Sequence, residues 1–238
     1  MDGTLARRAL AELLGTTLLL IAIVGSGIAA VRLSPGDAGM QLLLNAFATA
    51  AGLAAAIVAV GSVSGAHLNP VVTLVDRFLG GIDTRTAMAY IGAQLTGAVL
   101  GVVLANASFG LAAVEISNRA RDGGGLALGE VIATVGLLLL VFGIARSGRA
   151  TIAPFAVAVY IGGAYFFASS TSFANPAVTT ARMLTDTFTG IAPGSVPAFL
   201  AAQLAGGTIA IVVIRVLYPS VEAAAPDVVV PHPQEEAA

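Results

Sequence analysis

The chain has 238 residues, 57% hydrophobic and only 10% charged, with a formal net charge of −2 and no cysteine. Soluble domains carry about a quarter charged residues, so this composition excludes an ordinary soluble enzyme, and disulfide and thiolate chemistry go with the missing cysteine. The charges sit in clusters between long apolar stretches, as in a polytopic membrane protein.

In chain order, residues 7–31 read as a first spanning helix. Arg7 and Arg8 before an apolar run could open a signal peptide, but the run is long, holds Glu12 and has a partner later in the chain. Residues 34–39 (Ser-Pro-Gly-Asp-Ala-Gly) form a turn and 41–63 the second span. Ser64-Gly65-Ala66-His67-Leu68-Asn69-Pro70-Val71 follows as a polar, small-residue loop. Asn is a favoured helix N-cap and Pro is pre-set for the first helical position, so Asn69-Pro70 starts a helix over 69–79, closed by Gly80 and Gly81. The third span covers 84–106.

Residues 108–125 are the longest polar connection, and the second half then repeats the first. Leu128-Gly129-Glu130 and its apolar run echo Ala11-Glu12 and theirs, giving the fourth span; 149–168 are the fifth. Ser172-Phe173-Ala174-Asn175-Pro176-Ala177 then opens a second short helix over 175–184, and 196–217 are the sixth span. Gln94 and Gln203 occupy corresponding places, as glutamines suited to helix–helix hydrogen bonds. The tail over 221–238, with four acids and three prolines, reads as disordered.

Each short helix rises ~15 Å, half of a ~30 Å hydrocarbon core. Two of them entering from opposite faces, N-terminus to N-terminus, together cross a membrane. Three spans per half is an odd number, so the halves form an inverted repeat. With the N-terminus inside, seven arginines (Arg7, Arg8, Arg77, Arg85, Arg146, Arg149, Arg215) fall on inner segments and four (Arg32, Arg119, Arg121, Arg182) on outer ones. That bias puts both termini in the cytoplasm, and the protein is expected in the cell (inner or plasma) membrane.

Re-entrant backbone is tolerated only where it lines a water-filled cavity or is buried in protein, so the two loops imply a pore. A capping Asn uses its oxygen on its own helix, which leaves the amide NH₂ of Asn69 and Asn175 to donate into the lumen. The helix N-termini add positive potential there. Glu12 and Glu130 are carboxylates inside spans, hence functional candidates. They read either as proton-coupling groups of a secondary transporter or as acceptors for the loop N–H groups of their own halves. One Glu beside one loop in each half favours the second reading, and His67 reads as a further tie within its loop. With His67 far from His232, no metal-ligand grouping and no nucleophile–base set are visible; no cofactor, nucleic-acid partner or catalysis is expected.

The paired motifs resemble the Asn-Pro-Ala loops of the aquaporin (major intrinsic protein) family, and Ser64–Thr73 resembles that family's first loop at nearly every position. The resemblance covers about residues 7–217. It implies an all-α channel of six spanning helices and two half-helices within 1–220, with repeats over 7–107 and 125–217, assembled as a homotetramer in lipid. Asn69, Pro70, Asn175 and Pro176 would form the pore centre. The family's outer selectivity constriction would fall on Thr49, Gly163, Ser172 and Val178. Water- and glycerol-conducting members usually carry an aromatic where Thr49 stands and an Arg where Val178 stands. This small, uncharged set resembles the wide branch of aquaglyceroporins that pass small neutral solutes such as glycerol-like polyols and neutral metalloid hydroxides (arsenite), including the arsenic-associated bacterial members. Arg182 lies four residues past Val178. It reads as an arginine snorkelling to the outer surface in preference to a replacement for the missing one.

Overall fold

Six helices are long and apolar enough to cross a membrane in the computed structural model, which describes residues 3–218. The expected disordered tail over 221–238, with His232, lies outside the described residues. The long helices are α1 (Gly3–Leu33), α2 (Ala38–Ser64), α4 (Thr84–Ser108), α5 (Gly124–Arg146), α6 (Ala153–Phe167) and α8 (Val196–Leu217). The short ones are α3 (Pro70–Leu79) and α7 (Pro176–Ala181).

Local chemistry sets the boundaries. Asp37 and Asp83 cap α2 and α4 by accepting from the N–H groups of Met40 and Thr86. Gly65 and Gly80 end α2 and α3 with φ of 85° and 91°, the left-handed region a side chain resists. The second half-helix is shorter than the expected 175–184: its α-helical part stops at Ala181 and a 3₁₀ turn continues over Arg182–Leu184. There the Arg182 carbonyl accepts from Ile191 N–H at 3.3 Å, so the chain folds back instead of extending the helix.

The two halves pack alike. In the first, α1 meets α4 so closely that a Cβ on Gly97 would stand 2.3 Å from the Leu13 carbonyl oxygen. In the second, α5 meets α8, and a Cβ on Gly206 would stand 3.0 Å from the Val131 carbonyl oxygen. Small residues at these crossings let backbones approach where lipid offers no hydrophobic drive for association. Large apolar side chains such as Phe47, Val159, Phe166 and Val216 point outward, the pattern of a bundle facing hydrocarbon.

The 108–123 connection is stitched to the segment after α7. Glu115 and Ser117 N–H groups donate to the carbonyls of Leu184 and Met183 at 3.1 and 2.9 Å. Asp186 accepts from Asn118 N–H at 3.0 Å, and that bond, with the Asn118 side chain, holds its carboxyl below the usual carboxylate range. Asp186 is therefore ionised at neutral pH, and its contribution to loop order is complete above the ordinary Asp pKa and lost as pH falls through the lowered value. Asp186→Asn should abolish that acid-side loss and leave the outer loops open at neutral pH. Hydrogen exchange at Asn118 across a pH series reads both; equal exchange in parent and variant would show that the contact does not order the loop.

Candidate functional site

The two half-helices meet end to end at mid-bundle. Asn69 Oδ1 accepts from Val71 N–H at 3.0 Å, and Asn175 Oδ1 from Ala177 and Val178 N–H at 3.0 and 3.3 Å. Pro70 and Pro176 occupy the first turns, where a missing N–H removes no helical bond. The amide groups cross over: Asn69 Nδ2 donates to the Ala174 carbonyl and Asn175 Nδ2 to the Leu68 carbonyl, both at 2.8 Å. Expecting each whole NH₂ to face the lumen therefore overstates the donors; one hydrogen of each locks the opposite loop. Both asparagines line a cavity inside the bundle.

The loops before each Asn are strained in the same register. Ala66 and Leu68 have φ of 51° and 50°, Ser172 and Ala174 of 51° and 46°. Left-handed non-glycine residues persist only when their surroundings over-determine them. Here the surroundings are two carboxylates. Glu12 accepts from Ser64 Oγ, His67 N–H, Leu68 N–H and Gln94 Nε2 at 2.7, 3.0, 2.7 and 2.7 Å. Glu130 accepts from Phe173 N–H, Ala174 N–H and Gln203 Nε2 at 2.8, 2.8 and 2.6 Å. Gln94 and Gln203 also donate to Thr73 and Thr179 on the half-helices at 3.0 and 2.8 Å.

A second matched pair joins the residue two before each Asn to the residue seven after it. In the first half His67 Nε2 lies 3.5 Å from Asp76 Oδ2, while its Nδ1 is 3.1 Å from Thr73 Oγ1. In the second half the Arg182 guanidinium lies 3.5 Å over the Phe173 ring.

Two sequence expectations about the outer end are corrected. Gly163 does not line the cavity; it lies on an exposed face of α6 among Val159, Phe166 and Phe167. The lining face of α6 is Val157, Ile161 and Tyr165, two residues and thus about 200° around the helix from Gly163. Counting back over an ungapped spacing misplaces a helical face whenever the intervening loop differs in length. Arg182 does not snorkel outward either: it is 3% exposed, its Nε donates to the Thr189 carbonyl, and it lines the cavity. Thr49, Ser172 and Val178 line it as well. The cavity lining therefore includes an aromatic and a cation, Tyr165 and Arg182. Tyr165, which the sequence reading missed, donates its hydroxyl to Thr49 Oγ1 at 3.2 Å. The four-residue spacing of Val157, Ile161 and Tyr165, about one turn per step, was its signal.

The Major intrinsic protein family model matches residues 2–173. The chain belongs to the major intrinsic protein family. It is 43% identical over 211 residues to "Aquaglyceroporin AqpS" of Rhizobium meliloti (strain 1021), covering 89% of this chain and 90% of that protein. It is 31% identical over 216 residues to "Probable aquaporin AqpM" of Archaeoglobus fulgidus, covering 80% and 88%. Among solved structures, the aquaglyceroporin from Plasmodium falciparum superposes with a TM-score of 0.69 at 22% identity, over 92% of this chain and 99% of that one. That likeness speaks for the fold.

Proposed function

We propose that the protein is a passive channel for small uncharged solutes: water, glycerol-like polyols and neutral metalloid hydroxides such as arsenite. The observation that carries this reading is the cavity inside the bundle lined by the two capping asparagines, whose remaining amide hydrogens can serve one passing oxygen after another. Asn69, Pro70, Asn175 and Pro176 act as the pore centre, and Glu12, Glu130 and His67 hold the loops that present it. The inward-pointing helix ends disfavour cations there. Four copies assemble in the cell membrane, each with its own pore and with both termini cytoplasmic, as the family resemblance implies.

A proton-coupled transporter would need a carboxylate that can meet solvent during its cycle. Glu12 and Glu130 are both 0% exposed and have both oxygens engaged by loop and glutamine donors, which does not favour that role. Vesicles reconstituted with the protein should swell in glycerol without any ion gradient. Uptake that requires a proton gradient would overturn the channel reading.

Val178 sits on the cavity wall as a short apolar side chain. Val178→Arg should narrow the lumen and add a fixed cation where solutes shed water. Glycerol flux should fall about tenfold, the effect of ~1.4 kcal/mol at the barrier, while water flux falls much less. A bulky aromatic at Thr49 should deepen the effect. Stopped-flow light scattering with water and a graded polyol series measures both. Parent-like glycerol flux in the Arg variant would remove Val178 from the constriction.

A further inference from the structure

A buried arginine in a membrane channel needs either an ion partner or a task. Arg182 has no carboxylate partner among the described residues: its Nε is bound to the Thr189 carbonyl, and its guanidinium plane lies on Phe173. Among the described residues its terminal nitrogens make no other protein hydrogen bond, so the donors at the tip of the side chain remain for the lumen that Arg182 lines. Arg121, close by, is spent differently: its Nε and Nη2 donate to the carbonyls of Gly190 and Phe188 at 2.9 and 3.3 Å.

Two further groups face the same space. Ser172 Oγ is buried and has no protein partner among the described residues, and Ser172 lines the cavity. Tyr165 lines it from α6, its hydroxyl tied to Thr49. A planar cation, an unpaired hydroxyl and an aromatic ring thus gather at the outer end, although the two positions expected to hold the aromatic and the arginine are Thr49 and Val178.

We propose that Arg182 is the selectivity arginine of this pore, displaced one helical turn outward from Val178, with Tyr165 standing in from α6 for the aromatic that Thr49 lacks. The proposal rests on the channel reading above. One turn is about 5.4 Å, so the narrowest polar ring moves outward and the wall at Val178 is left apolar and open. The first-half counterpart helps to separate this role from simple loop bracing. Asp76 takes the same register and pairs with His67, yet does not line the cavity. Bracing can thus be achieved without placing the seventh residue at the lumen; in the second half that residue is at the lumen.

The test compares the parent protein with R182L and with V178R/R182L, in which the arginine is moved back one turn. Each is reconstituted at equal amounts of inserted protein. Stopped-flow scattering reads water, glycerol and xylitol, and a potential-sensitive dye reads potassium leak. In R182L the xylitol-to-water permeability ratio should rise about tenfold and a potassium leak should appear; in the double variant both should return towards the parent. A parent-like ratio with no leak in R182L overturns the assignment. So does a double variant that behaves like R182L. If R182L does not insert, R182Q, whose planar amide is neutral and short, is judged by the same two readouts. Parent vesicles that pass neither water nor glycerol would instead overturn the channel reading itself.

Discussion

Glu130→Gln should leave little folded protein in the membrane, and whatever survives should keep the parent's solute selectivity. Both oxygens of Glu130 accept from N–H groups, with Phe173 on one and Ala174 and Gln203 on the other. An amide presents one oxygen and one NH₂. Whichever way it turns, an NH₂ confronts a buried N–H, and at least one donor loses its partner. Leaving a buried donor unsatisfied costs about 1–3 kcal/mol, and more where the lost bond was to a charge. The strained φ values at Ser172 and Ala174 add to the cost, since these bonds hold them in place. Glu12→Gln should act in the same direction, because His67 and Leu68 N–H groups approach different oxygens of its carboxylate. Size-exclusion yield in detergent and flux per inserted molecule separate the two effects. A variant with normal yield and altered selectivity would show that the carboxylate acts on solutes and not on the loop.

Asn175→Asp should open the channel to cations. A carboxylate cannot donate to the Leu68 carbonyl, which now receives the Asn175 amide at 2.8 Å. Two oxygens would face each other across that gap, so the cross-tie between the loops fails. The new negative charge also offsets the positive potential of the helix ends, where the parent repels cations. Neutral-solute flux should fall, by about tenfold for ~1.4 kcal/mol at the barrier, as potassium conductance appears. Asn175→Ser, which restores a donor without charge, should show the fall without the leak. Parent-like flux and no leak in the Asp variant would mean that Asn175 contributes nothing to the pore centre.

Much of the fold is legible in the sequence because its signals are local. An apolar run of spanning length, an Asn-Pro at a helix start and a Gly at its end each act within a few residues, and α2, α3, α4 and α8 begin and end within three residues of where those signals stand. The loop carboxylates are legible for another reason: a Glu inside a span needs partners, and each half offers only one polar loop. The outer constriction is harder. Whether α6 presents Gly163 or Tyr165 depends on the angle at which it docks, and two residues of uncertainty reverse the face. Arg182 is harder still. Its direction is set by Phe173 and by the Thr189 carbonyl, and the Ser117 and Gly190 contacts that shape that return segment come from loops far apart in sequence. A side chain whose orientation is decided by such partners leaves no mark in the spacing around it.

The matched pairs, His67 with Asp76 and Phe173 with Arg182, give the molecule a chemical asymmetry that its backbone lacks. The chain traces nearly the same path twice, as gene duplication would leave it, yet one copy buries an acid seven residues past its Asn and the other buries a base. The halves are therefore no longer interchangeable parts. A chimaera with two first halves would bury two acids behind its loops, and one with two second halves two guanidinium groups, each without its opposite. A homodimer of either half, inserted in both orientations, could reproduce the architecture but not the combination of one buried acid with one buried arginine, which fusion into one chain preserves.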